Sequence, residues 1–305
     1  MSGYLLRRIL GAIFVIWGVS TAIFLILQVA GDPVEMLLSP EASDADATQL
    51  RAQLGLDDPI PIQYLRFLTG IVTLDFGESY RYGEPALEVV LERFPVSLLL
   101  TSAALGLALL LAIPLSIVAA ANQGKLLDRA ISSFSFLGQA VPVFWLGVMM
   151  IIVFGVKLGL LPTFGAGGLD HLVLPAVTLS VYPMAQFIRL TRSELLDVLR
   201  QDYIRTATAK GLFRRRVLLG HAFSNASIPL ITMVGLNFGI LLSGAVITET
   251  IFAWPGVGRL TLQAISTRDL PVIQAGVATI ATAFVLINLF VDIAVTWLDP
   301  RIRVT

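Results

Sequence analysis

Few side chains in this sequence are equipped for chemistry, and their spacing argues against most reactions. Cysteine is absent, so disulfides, iron–sulfur clusters and thiolate metal sites have no ligands. The two histidines, His171 and His221, lie too far apart for a local metal motif, and no metal site is expected. His171 follows Asp170 at the edge of an apolar run, where capping or an interfacial position accounts for it without a chemical role. Gly124-Lys125 precedes Leu126, so no Gly-x-x-x-x-Gly-Lys-Ser/Thr loop is present to cradle a phosphate. No serine, histidine and carboxylate fall into a persuasive set, and no catalytic residue is assigned. What remains is a few polar side chains inside apolar runs: Gln139 near Pro142, and Asn288 with Asp292, which are four apart and share a helix face. They either line a path or lock helices together by hydrogen bonds.

The elements that must hold these residues are membrane helices. The 305 residues are 56% hydrophobic and 14% charged with a mean hydropathy of +0.84, whereas soluble domains carry about 25% charged residues. About 20 apolar residues cross the ~30 Å hydrocarbon core as a helix. Six segments meet that test, near 9–29, 97–121, 130–156, 171–191, 226–248 and 270–298. Arg7-Arg8 before the first run resembles a signal peptide, but there is no small-residue cleavage site, so the run reads as a retained span. Pro114, Pro142, Pro175 and Pro183 predict kinks in the second, third and fourth spans. A charge such as Asp292 inside a span costs about 2.5–3.5 kcal/mol on insertion scales.

Formal net charge is zero, so the position of the charges carries the information, and no nucleic-acid partner is implied. The N-terminus, 122–129, 189–225 and the C-terminus together hold 14 of the 21 Lys and Arg residues. The positive-inside rule places those segments, and both termini, in the cytoplasm. The acidic stretch 30–96 is then external and folds as short helices and turns, too poor in apolar residues for an independent receptor domain. The expected fold is an all-α membrane protein with six transmembrane helices. It divides into an N-terminal helix (1–29), an external loop region (30–96), a five-helix core (97–298) and a cytoplasmic tail (299–305).

The cytoplasmic stretch 192–225 intersperses Leu195, Leu196, Leu199, Tyr203, Ala207 and Ala209 with Arg200, Arg205, Lys210 and Arg214-Arg215-Arg216. That pattern predicts one or two short helices with an apolar stripe, broken near Gly211. Two readings fit it equally. A basic amphipathic helix rests on anionic lipid, or small residues (Thr206, Ala207, Thr208, Ala209) allow close approach of a cytoplasmic subunit while Gly211 permits a turn. Two other stretches have similarly paired readings: Arg189 snorkels toward the boundary, and Trp254-Pro255-Gly256-Val257-Gly258 is a re-entrant turn or an interfacial loop anchored by its Trp.

The wording of Asp202 to Gly211 separates the two readings of the basic stretch. It is similar to the EAA loop of bacterial and archaeal ABC importer permeases, in the dipeptide/oligopeptide/nickel (glutathione-type) subgroup. The resemblance runs along almost the whole chain, through Gly31-Asp32-Pro33, Leu54-Gly55-Leu56-Asp57 with Gln63-Tyr64, Asp75-Phe76-Gly77 and Arg189-Leu190-Thr191-Arg192-Ser193. It continues in Asn225-Ala226 with Pro229, Glu249-Thr250-Ile251-Phe252-Ala253-Trp254-Pro255-Gly256-Val257-Gly258, Arg268 to Gln274, and Leu298-Asp299-Pro300-Arg301. Where the general pattern has Glu-Ala-Ala, this chain has Arg205-Thr206-Ala207, as is usual in the subgroup; Ser224 stands where arginine is frequent.

The resemblance implies a non-catalytic permease that couples closure of ATPase subunits to alternating access. Tyr203, Arg205, Thr206, Ala207, Ala209, Lys210 and Gly211 would make the coupling contacts, with Gln139, Asn288 and Asp292 as path residues. It implies a homologous second permease, two cytoplasmic ATPase subunits carrying ATP and Mg, an external substrate-binding protein, and residence among the lipids of the bacterial or archaeal inner membrane. This chain would itself hold no cofactor. The alternative is an ion-coupled transporter or channel using Asp292, which should show inverted repeats.

Overall fold

The structure, a computed structural model, describes residues 2–29, 34, 38 and 43–298. The 299–305 tail, Gly31-Asp32-Pro33 and most of 34–42 lie outside the described residues. Every extended element there is a helix, and only an isolated bridge joins Glu78 to Pro85. Five helices are long and apolar enough to cross a membrane: α1 (Ser2–Val29), α4 (Ala86–Ala121), α7 (Leu169–Leu199), α9 (Arg214–Ile251) and α11 (Leu270–Leu298). A bent pair, α5 (Leu126–Ala140) and α6 (Val143–Lys157), would make a sixth span.

The prolines interrupt their helices unevenly. At Pro142 the chain breaks and α5 and α6 meet at 101°. Pro142 supplies no N–H, and it holds Val141 at φ −78°, ψ 123°, outside the helical region. Pro175 and Pro183 sit within an unbroken α7, and α4 likewise runs through Pro114. Neighbouring helices in a membrane bundle tolerate such positions. Seven-residue π-helical stretches occur at Ile151–Lys157 in α6 and Val217–Phe223 in α9.

The chain divides into two compact units, Met1–Ser97 with Pro255–Val285 and Leu98–Trp254 with Leu286–Thr305. In the first, α1 presents Ile13, Phe14, Trp17, Leu25 and Ile26 outward, an apolar surface suited to lipid. Phe24 faces inward and stacks on Phe67 at 5.7 Å and tilts against Tyr64 at 5.2 Å, both on α3 (Ile60–Thr73). Before α3, α2 (Asp44–Leu54) opens on a capping box at Ser43 and Asp46 and closes on Gly55 in the left-handed region. Ala86, Val89 and Val90 at the start of α4 pack with Val257 and Leu260 of α10 (Val257–Ser266) and Val272 and Ile273 of α11. Thus α4 begins eleven residues before the predicted span, because one face of its charged first turns is apolar. Ser97 Oγ accepts the Val257 N–H at 2.8 Å, satisfying a free donor at the start of α10.

The loop 75–85 is held by one carboxylate. Buried Asp269 accepts from Ser79 Oγ at 2.6 Å and from the N–H groups of Tyr80 and Arg81 at 3.2 and 3.3 Å. Burial, then the Asp269 charge, pushes the Tyr80 phenol up to about 12.

In the second unit α7 is the axis. Gly138 of α5 approaches it so closely that an added Cβ would lie 3.2 Å from Val181 and 3.4 Å from Ala185. At Gly147 of α6 a Cβ would meet Phe252, Ile251 and Thr178 at 3.3–3.4 Å. Small residues at helix contacts permit this approach in the absence of a hydrophobic drive between membrane helices. Trp254 is buried at 3% exposure beside Phe252 at 1%, so the interfacial anchor proposed for it is not realised. Its N–H closes the end of α9 on the Glu249 carbonyl at 2.8 Å.

Candidate functional site

The stretch 192–225 is built differently from its predicted periodicity. Leu195, Leu196 and Leu199 belong to α7, which runs to Leu199 before the chain turns at Arg200-Gln201. A new helix, α8 (Asp202–Ala209), then starts in its own phase. Consequently Tyr203 and Ala209 do not continue the leucine stripe and stand exposed, Tyr203 at 45%. Ile204, 4% exposed, takes the inward position.

Inward, Ile204 joins a cluster with Ala120 of α4, Leu195 of α7, and Val217, Ala222 and Ala226 of α9, with Ala207 and Leu212 packed against it. Ala207 therefore faces this chain's own core. Burying one Ile side chain contributes about 1.5–3 kcal/mol, enough to hold a two-turn helix that has little stability alone. Outward, Tyr203, Arg205, Thr206, Ala209, Lys210 and Gly211 are exposed. Arg205 reaches Asp202 at 3.6 Å, a solvated contact worth little.

The exit from α8 is a tight turn. Lys210 and Gly211 donate N–H bonds to Thr206 and Thr208, and Leu212 donates to Ala207. Gly211 sits at φ +79°, and a Cβ there would meet nothing within 4 Å. Its requirement is backbone conformation, and the space beside it is open. The turn leaves Phe213 85% exposed immediately beyond it. Neither Ile204 nor Phe213 was singled out from sequence. Ile204, Ala207 and Leu212 do share helical spacing, but that signal appears only once α8 is started afresh at Asp202.

The predicted second short helix is not separate: Arg214-Arg215-Arg216 opens α9 and runs through the π stretch into the membrane span. Nearby, buried Asp128 of α5 takes a two-pronged bond from Arg192 of α7 at 2.5 and 2.8 Å, and accepts the Gly124 N–H at 2.8 Å. This fixes the start of α5 to the end of α7, and it too was missed, because the partners are 64 residues apart.

The other predicted residues lie elsewhere. Gln139 is half-buried in the last turn of α5, and Asn288 and Asp292 are half-buried on α11, where neither lacks a partner. Arg189 lies over the Phe136 ring at 5.5 Å. His171 Nδ1 lies 3.1 Å from the Phe164 carbonyl, fixing the loop that leads into α7. His221 stands in the π stretch of α9. Among the described residues no three His, Cys, Asp or Glu side chains gather as a metal site.

Residues 112–304 match the family described as binding-protein-dependent transport system inner membrane component, and residues 1–101 match the N-terminal component of the same transport systems. The oligopeptide transport system permease protein AppB of Bacillus subtilis is 41% identical over 99% of this chain and 100% of its own. The probable peptide ABC transporter permease protein y4tP of Sinorhizobium fredii is 38% identical over 99% and 100%. The glutathione transport system permease protein GsiC of Salmonella paratyphi A is 40% identical over 99% of each. Two inward-facing crystal forms of the MetNI methionine ABC transporter superpose with TM-scores of 0.57 and 0.59 at 16% identity, covering 69% of this chain and 96% of theirs, which supports the fold. The chain belongs to the family of binding-protein-dependent transport system inner membrane components and is a multi-pass membrane permease subunit.

Proposed function

We propose that this chain forms half of the translocation path of an ATP-driven importer for peptides or related small solutes, and that α8 with the following turn receives the motion of a cytoplasmic ATPase subunit. One observation carries the coupling role. The inner side of α8 is packed into the ends of α4, α7 and α9, while its outer side, extended by Gly211 and Phe213, is left open. A push on that outer face moves three membrane helices together. Nucleotide binding then has different free energies in the two states of the path, which is what coupling requires.

Hydrolysis is assigned to two separate ATPase subunits with ATP and Mg, because this sequence has no phosphate-cradling loop. A homologous second permease completes the path, and an external binding protein delivers the solute. Both termini face the cytoplasm of a bacterial or archaeal inner membrane. The printed names of the relatives, peptide, oligopeptide and glutathione, support the solute class.

The test is uptake into proteoliposomes containing this chain, its partner permease, both ATPase subunits and the binding protein. Labelled di- and oligopeptides should accumulate only with ATP on the ATPase side. Accumulation by this chain on an ion gradient without nucleotide would favour the Asp292 transporter instead.

A further inference from the structure

Beside the coupling element, where α4 and α7 end and α9 begins, lies a cleft of about 390 Å³. Its polar walls carry Lys125 at the entrance to α5, Arg200 at the end of α7 and Arg214 at the start of α9. Ala121, Leu196 and Leu199 give it an apolar floor. Among the described residues no carboxylate lines it. Among the described residues none of these three cations is in an ion pair, although basic neighbours are: Arg192 is held by Asp128 and Arg205 by Asp202. The carbonyl ends of α4 and α7 supply about −0.5 charge each. The N–H ends of α5 and α9 supply about +0.5 each, so the helix ends cancel and the three side chains leave the cleft with an excess of about three positive charges. Arg214 is fixed at the rim by its bond to the Ala121 carbonyl at 2.7 Å. Four of its five N–H donors remain for another acceptor.

We infer that this cleft binds a phosphate-bearing anion and is placed to take the headgroup of an anionic phospholipid. The cleft lies at the ends of two helices long and apolar enough to cross the membrane. Its apolar floor beneath converging cations matches the chemistry of a phosphodiester above acyl chains, and basic pockets between transmembrane helices recognise such headgroups. Arginine supplies planar forks suited to phosphate oxygens, and Lys125 adds a point charge. The site draws on α4, α5, α7 and α9 together, so its occupant would touch the same helix ends that hold α8.

Native mass spectrometry of the delipidated full-length chain, titrated separately with phosphatidylglycerol, phosphatidylcholine and inorganic phosphate, tests this. The wild type should show one saturable phosphatidylglycerol site with no phosphatidylcholine counterpart. Lys125→Gln with Arg200→Gln should weaken it by roughly fivefold per charge, about 25-fold together, and Arg200→Lys should largely retain it. Arg214 is left intact because it also holds α4. Loss of inorganic phosphate binding in the double variant, with phosphatidylglycerol unaffected, would support the site and identify a soluble phosphate as its source. Should the double variant misfold, Lys125→Gln alone, an exposed side chain with no described bond, reads the fivefold effect. Wild-type affinity for both anions in a folded variant would overturn the inference.

Discussion

At the scale of single residues, Gly211 is the position where sequence and geometry meet most directly. Its φ of +79° costs other residues about 1–2 kcal/mol, and because a Cβ there would meet nothing, that strain is the whole intramolecular effect. Gly211→Val should therefore reopen the turn and displace Phe213. The expected result is uptake reduced by about tenfold with ATPase activity retained, while Gly211→Asn, which tolerates the left-handed region, should be milder. Paired uptake and phosphate-release assays check this. On the other unit, Tyr80 has a folded pKa of about 12 against an ordinary 10.0, raised by burial and then by Asp269. A phenol raised in this way contributes stability that is fully present below pH 10 and lost as the pH climbs through 12. Alkaline titration of phenolate absorbance should show one tyrosine ionising near pH 12, absent from Tyr80→Phe; if the variant titrates as the wild type does, the assignment fails.

At the scale of elements, α8 is a lever only if its inner side is fixed. Ile204→Ala removes the buried anchor and leaves every outward residue in place, at a cost of about 2–4 kcal/mol. Uptake should fall while affinity for the ATPase subunits, measured by co-purification, changes much less. Equal losses of both would mean that Ile204 serves the contact itself. The same element shows what the sequence could and could not reveal. Long apolar runs announced α1, α4, α7, α9 and α11, because 20 uncharged residues admit few other structures. The expected break near Gly211 is where α8 ends in a left-handed turn. The stripe through Tyr203 and Ala209 failed, because one turn at Arg200-Gln201 resets the helical phase and inverts which side chains face in. Pro142 broke its helix while Pro175 and Pro183 did not, a difference set by the surroundings of each proline. Arg192 and Asp128 meet across 64 residues, a pairing that periodicity does not encode.

At the scale of the whole molecule, the proposed role is that of a transmitter, and several of the charged groups in the described residues fix positions. Asp269 clasps the loop 75–85, Asp128 ties α5 to α7, and the cluster around Ile204 ties α8 to three helix ends. Gly138 and Gly147 let neighbouring helices of the second unit pack closely, and on the proposed coupling role that packing would carry a displacement at α8 into the span region rather than absorb it. The central claim is that force enters at the outer face of α8. Because this sequence contains no cysteine, Tyr203→Cys gives this chain a single attachment point for a reducible cross-linker when it is assembled with its partners. The account predicts a cross-link to an ATPase subunit that stops ATP-driven uptake and releases it on reduction. Failure to capture any ATPase subunit from that position, in a transporter that still imports, would contradict it.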